Sequence, residues 1–177
     1  PPSDWAIPYV TTAYNNGLTT EKTLLNFTSN ISREAFCELV VKMYEQSTGK
    51  TIAISRPVVF GDTSNIAITK AFQIGIVSGY GNGLFGPNDQ ITREQLMTMF
   101  YRALVLLDSS YEEVSYPELT FIDIKDISSW AYKSTKALVF YELVDGVGGQ
   151  RLSPQTNATI EQSLKLVNSV YEFYLSN

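Results

Sequence analysis

Residues 76–100 read IVSGYGNGLFGPNDQITREQLMTMF, and residues 143–167 read LVDGVGGQRLSPQTNATIEQSLKLV. Laid over one another, Gly79 falls on Gly146, Gly81 on Gly148, Pro87 on Pro154, Thr92 on Thr159 and Glu94 on Glu161, at one constant spacing of 67. Self-similarity at a fixed period marks a repeat architecture, in which a single unit is too small to cover its own apolar face. Upstream, ISREAFCELVVKMY at 31–44 matches 91–104 and supplies a third copy. The other half of each copy agrees. Trp5-Ala6 stands 12 residues before Gly17-Leu18, and Trp130-Ala131 stands 12 before Glu142-Leu143, while the second copy has Thr63-Ser64 at that distance before Gly75-Ile76.

Each copy therefore predicts a shorter helix, a loop of turn residues and a longer helix. The units run over 1–50, 58–108 and 119–177, with linkers rich in Ser, Pro and β-branched residues from Ser47 to Val59 and from Asp108 to Thr120. In the second long helix Leu96, Phe100, Ala103, Leu104 and Leu107 keep helical spacing, and Met97, Met99, Val105 and Leu106 widen the apolar stripe almost all round. Such a helix is buried on most sides. The matched positions Phe36/Leu96, Leu39/Met99/Leu166, Val40/Phe100/Val167 and Met43/Ala103/Val170 then pack three long helices on each other. The expected fold is all-α: three helix–loop–helix repeats forming a pseudo-threefold bundle with a central three-helix core and the shorter helices outside.

Composition narrows the chemistry. The chain has 177 residues, 44% hydrophobic and 18% charged, with no histidine and one cysteine. That fits a globular unit able to bury a core without disulfides or metal. Without histidine, a Ser-His-Asp or Cys-His nucleophile and a histidine-ligated metal are excluded, and Cys37 alone makes neither a disulfide nor a thiolate zinc site. Cys37 lies in an apolar helical pattern and reads as a buried, inert thiol. No cofactor or metal is expected. The balance of 13 basic against 18 acidic side chains, net −5, argues against nucleic acid as a partner. No run of about 18 apolar residues predicts membrane insertion. Pro1-Pro2-Ser3 lacks the basic and apolar regions of a signal peptide, which fits a protein that is not exported or an excised mature fragment.

The long-helix starts carry the most specific signal. Thr92 with Gln95, and Thr159 with Gln162, form capping boxes, and Ser32 caps the first copy. Capping puts Arg33 and Arg93 at the first helical position and Glu34 and Glu94 at the second. A helix start carries roughly half a positive charge, so a cation there loses up to about 1 kcal/mol. Either each Arg pairs with its neighbouring Glu or solvent, or the site receives an external anion on converging N–H donors and a guanidinium fork.

Gly75-Ile76-Val77-Ser78-Gly79-Tyr80-Gly81-Asn82-Gly83-Leu84-Phe85-Gly86-Pro87-Asn88, followed by Ile91-Thr92-Arg93-Glu94-Gln95, resembles the S-layer homology module. The family pattern is a Trp-Ala helix, a Gly-Ile-Ile-x-Gly-Tyr-x-Asp-Gly-x-Phe-x-Pro loop and an Ile-Thr-Arg-Ala-Glu helix start, and its modules usually come in threes. The resemblance implies a three-pronged pseudo-trimer on the bacterial cell surface, outside the cell. Such a module holds surface proteins noncovalently to the wall by binding an acidic secondary wall polysaccharide that commonly bears a pyruvyl ketal. It further implies Arg33 and Arg93 as anion ligands in grooves between modules, Gly79, Tyr80 and Gly81 as the loop wall, and Trp5 and Trp130 as apolar faces for sugar. Other surface-layer proteins are further candidate partners. The third copy departs from the pattern with Ile160 in place of Arg and Val147 in place of Tyr. The first has Thr19-Thr20-Glu21-Lys22-Thr23 for the Gly-Tyr loop, and the second has Thr63 for Trp. One or two working grooves are expected.

Other readings are weaker. Gly81-Asn82-Gly83-Leu84-Phe85-Gly86 spells the dinucleotide fingerprint, but no strand precedes it, so its glycines serve a tight loop. Gly49-Lys50-Thr51 lacks the first glycine of a phosphate loop, and Asp123 and Asp126 lack calcium-loop spacing. Judged by size alone, Trp5 and Trp130 anchor the short helices in the core. Asn26, Asn30 and Asn157 open Asn-x-Ser/Thr triplets near helix starts, where they read as caps and turns. Two rival functions are an assembly module that binds protein and not glycan, and a two-carboxylate glycosidase using Glu34 and Glu94.

Overall fold

Among the described residues six α-helices alternate short and long: α1 (Ile7–Asn15), α2 (Arg33–Thr48), α3 (Ile66–Gln73), α4 (Arg93–Leu107), α5 (Ser129–Phe140) and α6 (Ile160–Ser176). The structure, a computed structural model, describes residues 1–57 and 60–177. The predicted start of the second unit at 58 and the end of the first linker at Val59 lie outside the described residues. Among the described residues only isolated bridges and no β-strand occur, so the fold is all-α.

The long helices start where their caps dictate. Ser32 Oγ accepts from the Ala35 N–H, and the Thr92/Gln95 and Thr159/Gln162 boxes are both closed. α2 ends on Gly49, which takes a left-handed φ of 65° that a side chain would resist. α2, α4 and α6 pack on one another in the centre. Phe36 and Phe100 meet edge to face at 5.3 Å, and Leu39, Val40, Met43, Leu104, Val167 and Val170 are fully buried around them. α4 is the most enclosed, burying Arg93, Glu94 and Thr98 along with its apolar residues. Cys37 is sealed in this core, and burial pushes its thiol up to about 12, out of reach of thiolate chemistry.

The short helices interlock the copies. α3 lies on α2, α5 on α4 and α1 on α6, so each packs against the long helix of the preceding copy and the series closes on itself. The helix starts are linked in the same sense. The N–H groups of Arg33 and Glu34 donate to the carbonyls of Asp89 and Pro87, those of Arg93 and Glu94 to Thr156 and Pro154, and those of Ile160 and Glu161 to Ser29 and Phe27. Near the axis Ile31, Ile91 and Ala158 are fully buried, joined by the bonds from the Ile31 N–H to Ala158 and from the Ala158 N–H to Ile91. Asn30 and Asn157 both donate to Gln90 Oε1 beside them, and Asn26 holds a turn at φ 53°.

One alignment read from the sequence is corrected. α3 has 8 residues against 12 in α5, one turn fewer, although both end alike at Gly75 and Glu142 with positive φ. Dropping a whole turn keeps the buried face in register. The short helices start at matching points, because the carbonyls of Ser3, Asn65 and Ser128 accept from the N–H groups of Ala6, Ile68 and Ala131. Counted from there, Ala67, and not Thr63, occupies the place of Trp5 and Trp130.

Candidate functional site

Among the described residues neither motif arginine pairs with a carboxylate. From the first turn of α2, Arg33 reaches into the loop after α3. Its Nε donates to the Phe85 carbonyl at 3.0 Å and its Nη2 to that of Ser78 at 2.8 Å. The guanidinium also lies over the Phe85 and Tyr80 rings, at 4.3 and 4.9 Å from their centroids. Arg93 repeats the arrangement one copy on, with Nε to Leu152 at 2.9 Å and Nη2 to Asp145 at 3.2 Å. It is only 7% exposed, and burial lowers its pKa. Among the described residues Nη1 of neither arginine has a protein partner, and neither Nη1 is sealed from solvent. Two of five donors are thus used to fix each fork, and the other three have no protein partner among the described residues.

The expectation of free N–H donors is overturned. At each long-helix start the first two N–H groups are taken by carbonyls of the next copy and the third by the cap hydroxyl. An anion there must be held by side chains.

A cleft opens beside each arginine. The Arg33 cleft, about 290 Å³, is walled by Ser78, Gly79 and Tyr80 of the loop, by Thr98 and Arg102 of α4 and by Trp130. The Arg93 cleft, about 350 Å³, has Asp145, Gly146, Val147, Lys165 and Trp5 in the places of Ser78, Gly79, Tyr80, Thr98 and Trp130, with Gln162 beside them. Each cleft thus takes its arginine from one copy, its loop and long helix from the next and its tryptophan from the third. The tryptophans are not core anchors: Trp5 is 47% and Trp130 55% exposed, because the alanine that follows each makes the buried contact. Gly81 does not line the cleft and sits in the loop beyond at φ 82°.

The loop wall is braced from below. A Cβ on Gly79 would stand 2.5 Å from the Phe60 ring and 3.0 Å from the Leu84 carbonyl, so only glycine lets the chain pass there. The Tyr80 hydroxyl donates to Asp89, and that bond raises its pKa. Asp62 accepts from the N–H groups of Phe85 and Gly86, which hold its carboxyl below the usual range. Asp123 does the same for Leu152 and Ser153 at 2.9 and 2.8 Å. Burial works to raise Asp123, but these N–H donors outweigh it and its pKa falls. Sequence reading missed Asp62, Thr98, Arg102 and Lys165. The spacing of 67 that matches Thr98 to Lys165 was the available signal.

The third junction is different. Ile160 replaces the arginine and Ala67 the tryptophan. Glu38, which matches Thr98 and Lys165, is bonded by Lys22 and by Asn65 Nδ2. Lys22 also pairs with Glu34 at 2.8 Å, and its hydrogen bond lowers the Glu34 pKa. The other helix-start glutamates are engaged as well. Glu94 accepts from the Ser128 N–H at 2.8 Å, its Oγ at 2.7 Å and Gln155 Nε2 at 2.9 Å, and Glu161 from the Ser3 N–H and Oγ at 2.9 and 2.8 Å. Glu94 and Glu161 thus serve as latches between copies, as does Glu34, which accepts from Asn65 Nδ2 of the next copy at 3.1 Å.

Comparison with known proteins gives one family. Residues 60–97 match the model of the S-layer homology domain. An endoglucanase of Bacillus sp. (strain KSM-635) is 30% identical over 175 residues, covering 95% of this chain and 18% of the relative. An amylopullulanase of Thermoanaerobacterium thermosulfurigenes is 32% identical over 112 residues, 63% of this chain and 6% of the relative. A surface layer protein of Brevibacillus choshinensis is 27% identical over 94 residues, 53% of this chain and 8% of the relative. The chain spans less than a fifth of the length of these curated relatives.

Proposed function

The chain belongs to the S-layer homology domain family, and from that premise we propose that it anchors a larger surface protein to the bacterial wall by binding an anionic, pyruvylated secondary wall polysaccharide. Its place is the cell surface and its role there is noncatalytic. The units 1–50, 58–108 and 119–177 act together as one pseudo-trimer with two glycan grooves, while the third junction, without arginine or tryptophan, closes the ring. In each groove the arginine meets the ligand carboxylate through its remaining donors, and Trp5 or Trp130 offers a ring face to sugar. Gly79 and Tyr80 form the loop wall of the Arg33 groove. The activities named for the enzyme relatives are not carried over to this chain.

The observation that supports this reading most is the partly committed fork. An arginine fixed by two carbonyls, facing an open cleft with no carboxylate partner, is prepared for an anion from outside. A charge-assisted contact contributes about 1.5–3 kcal/mol, so losing one arginine weakens its groove roughly ten- to a hundredfold. The test is sedimentation with purified walls, with and without their acidic polysaccharide. Binding that needs the polysaccharide and is abolished by Arg33→Ala combined with Arg93→Ala is the expected result. Unchanged binding by the double variant removes these arginines from the mechanism, and binding to stripped walls favours a protein partner.

A further inference from the structure

The two clefts share a plan but differ at several matched positions, and three of these set the charge of the wall. Ser78, Thr98 and Arg102 of the Arg33 cleft correspond to Asp145, Lys165 and Ser169, each 67 residues later. In the Arg93 cleft the polar wall is already satisfied: Lys165 Nζ sits 2.7 Å from Asp145 Oδ2 and 4.9 Å from the Tyr9 ring centroid. Among the described residues no carboxylate lines the Arg33 cleft, where Arg102 stands alongside Arg33. Arg102 is anchored by one bond, Nη1 to the Ile76 carbonyl at 3.1 Å, and is otherwise exposed.

Thr98 is the unexplained group. It lines the Arg33 cleft and is 5% exposed, yet its hydroxyl has no hydrogen-bond partner among the described residues. A buried hydroxyl without a partner is destabilising. A helical threonine has a local remedy, the carbonyl four residues back, and Thr135 uses it at 2.8 Å. Thr98 leaves that remedy unused. The hydroxyl is sealed from the cleft as it stands, but threonine populates two χ1 rotamers in a helix, and a turn about χ1 brings it to the cleft wall.

We propose that the Arg33 cleft selects the acidic substituent of the glycan and that Thr98 is its specificity residue. The Thr98 hydroxyl bonds an oxygen of the bound acidic sugar while Arg33 Nη1 and Arg102 hold the negative charge. The Arg93 cleft, where Lys165 is already paired with Asp145 on the wall, meets the same substituent with less selectivity. This assignment rests on the polysaccharide reading above.

The test is calorimetric titration of the intact chain with short fragments of acidic wall polysaccharide, and with the same fragments after carboxyl reduction. Short fragments remove the avidity that would mask one cleft. The unsubstituted chain prefers the acidic fragment. Thr98→Val binds it about tenfold more weakly with an unchanged or higher melting temperature, because a methyl replaces the orphaned hydroxyl, and Thr98→Ser binds like the parent. Should Thr98→Val not fold, Arg102→Ala on the exposed surface gives the same readout, a loss of roughly fivefold for the acidic fragment with the reduced one spared. Parent-like affinity in both Thr98→Val and Arg102→Ala overturns this assignment and leaves the polysaccharide reading intact. Equal parent affinity for the two fragments overturns charge selection. Binding of neither fragment by the parent chain removes the polysaccharide reading itself.

Discussion

Glu94→Ala tests the latch that joins the second copy to the third. Glu94 is 2% exposed and accepts three hydrogen bonds, from the Ser128 N–H, Ser128 Oγ and Gln155 Nε2. Bonds to an ionised group contribute roughly 1.5–3 kcal/mol each, and partial rehydration of the freed donors offsets part of that sum. A net loss of about 3–4 kcal/mol follows, or about 8–12 °C in melting temperature for a domain of this size. Glu161→Ala, with two donors lost, falls about 6 °C, and Glu34→Ala, partly exposed and screened, falls about 2 °C. Differential scanning calorimetry at neutral pH measures the series. A drop of under about 3 °C for Glu94→Ala, or a reversed order, would refute the latch reasoning.

Three further outcomes are expected. Gly79→Ala drives a Cβ to 2.5 Å from the Phe60 ring, and such overpacking costs about 2 kcal/mol, lowering the melting temperature by about 6 °C. Arg33→Lys keeps the charge but not the fork that spans the Ser78 and Phe85 carbonyls, so titration with acidic polysaccharide finds it nearly as weak as Arg33→Ala. Asp62 and Asp123 have folded pKa values below their ordinary 3.8, so the unfolded chain binds those protons more readily. Their contribution is complete above 3.8, is lost as pH falls through the depressed values, and is absent below them. With no histidine, thermal scans show a plateau from about pH 5 to about pH 8 and a fall on the acid side that is shallower in Asp123→Asn.

The helix starts and the central packing were legible because capping residues and apolar periodicity are local signals: Thr92 with Gln95 needs only four adjacent residues. What those starts touch was not legible. Arg33 anchors on Ser78 and Phe85, and Arg93 on Asp145 and Leu152, contacts that span more than forty residues and leave no periodic trace. The same long-range pairing takes the N–H donors that seemed free when each helix was considered alone. The tryptophans were misjudged because size argues for burial, whereas the neighbouring alanines, Ala6 and Ala131, occupy the interior. The alignment of Thr63 with Trp5 and Trp130 failed because α3 is one turn short, and a lost turn preserves the pattern while shifting the count.

The interlocked order of the helices bears on biogenesis. A chain emerging N-terminus first presents α1 about 150 residues before α6, its packing partner, has appeared. Residues 27–29 likewise wait for Ile160 and Glu161. The ring of copies therefore cannot close until the chain has emerged as far as α6, and the contacts that close it are the last to form.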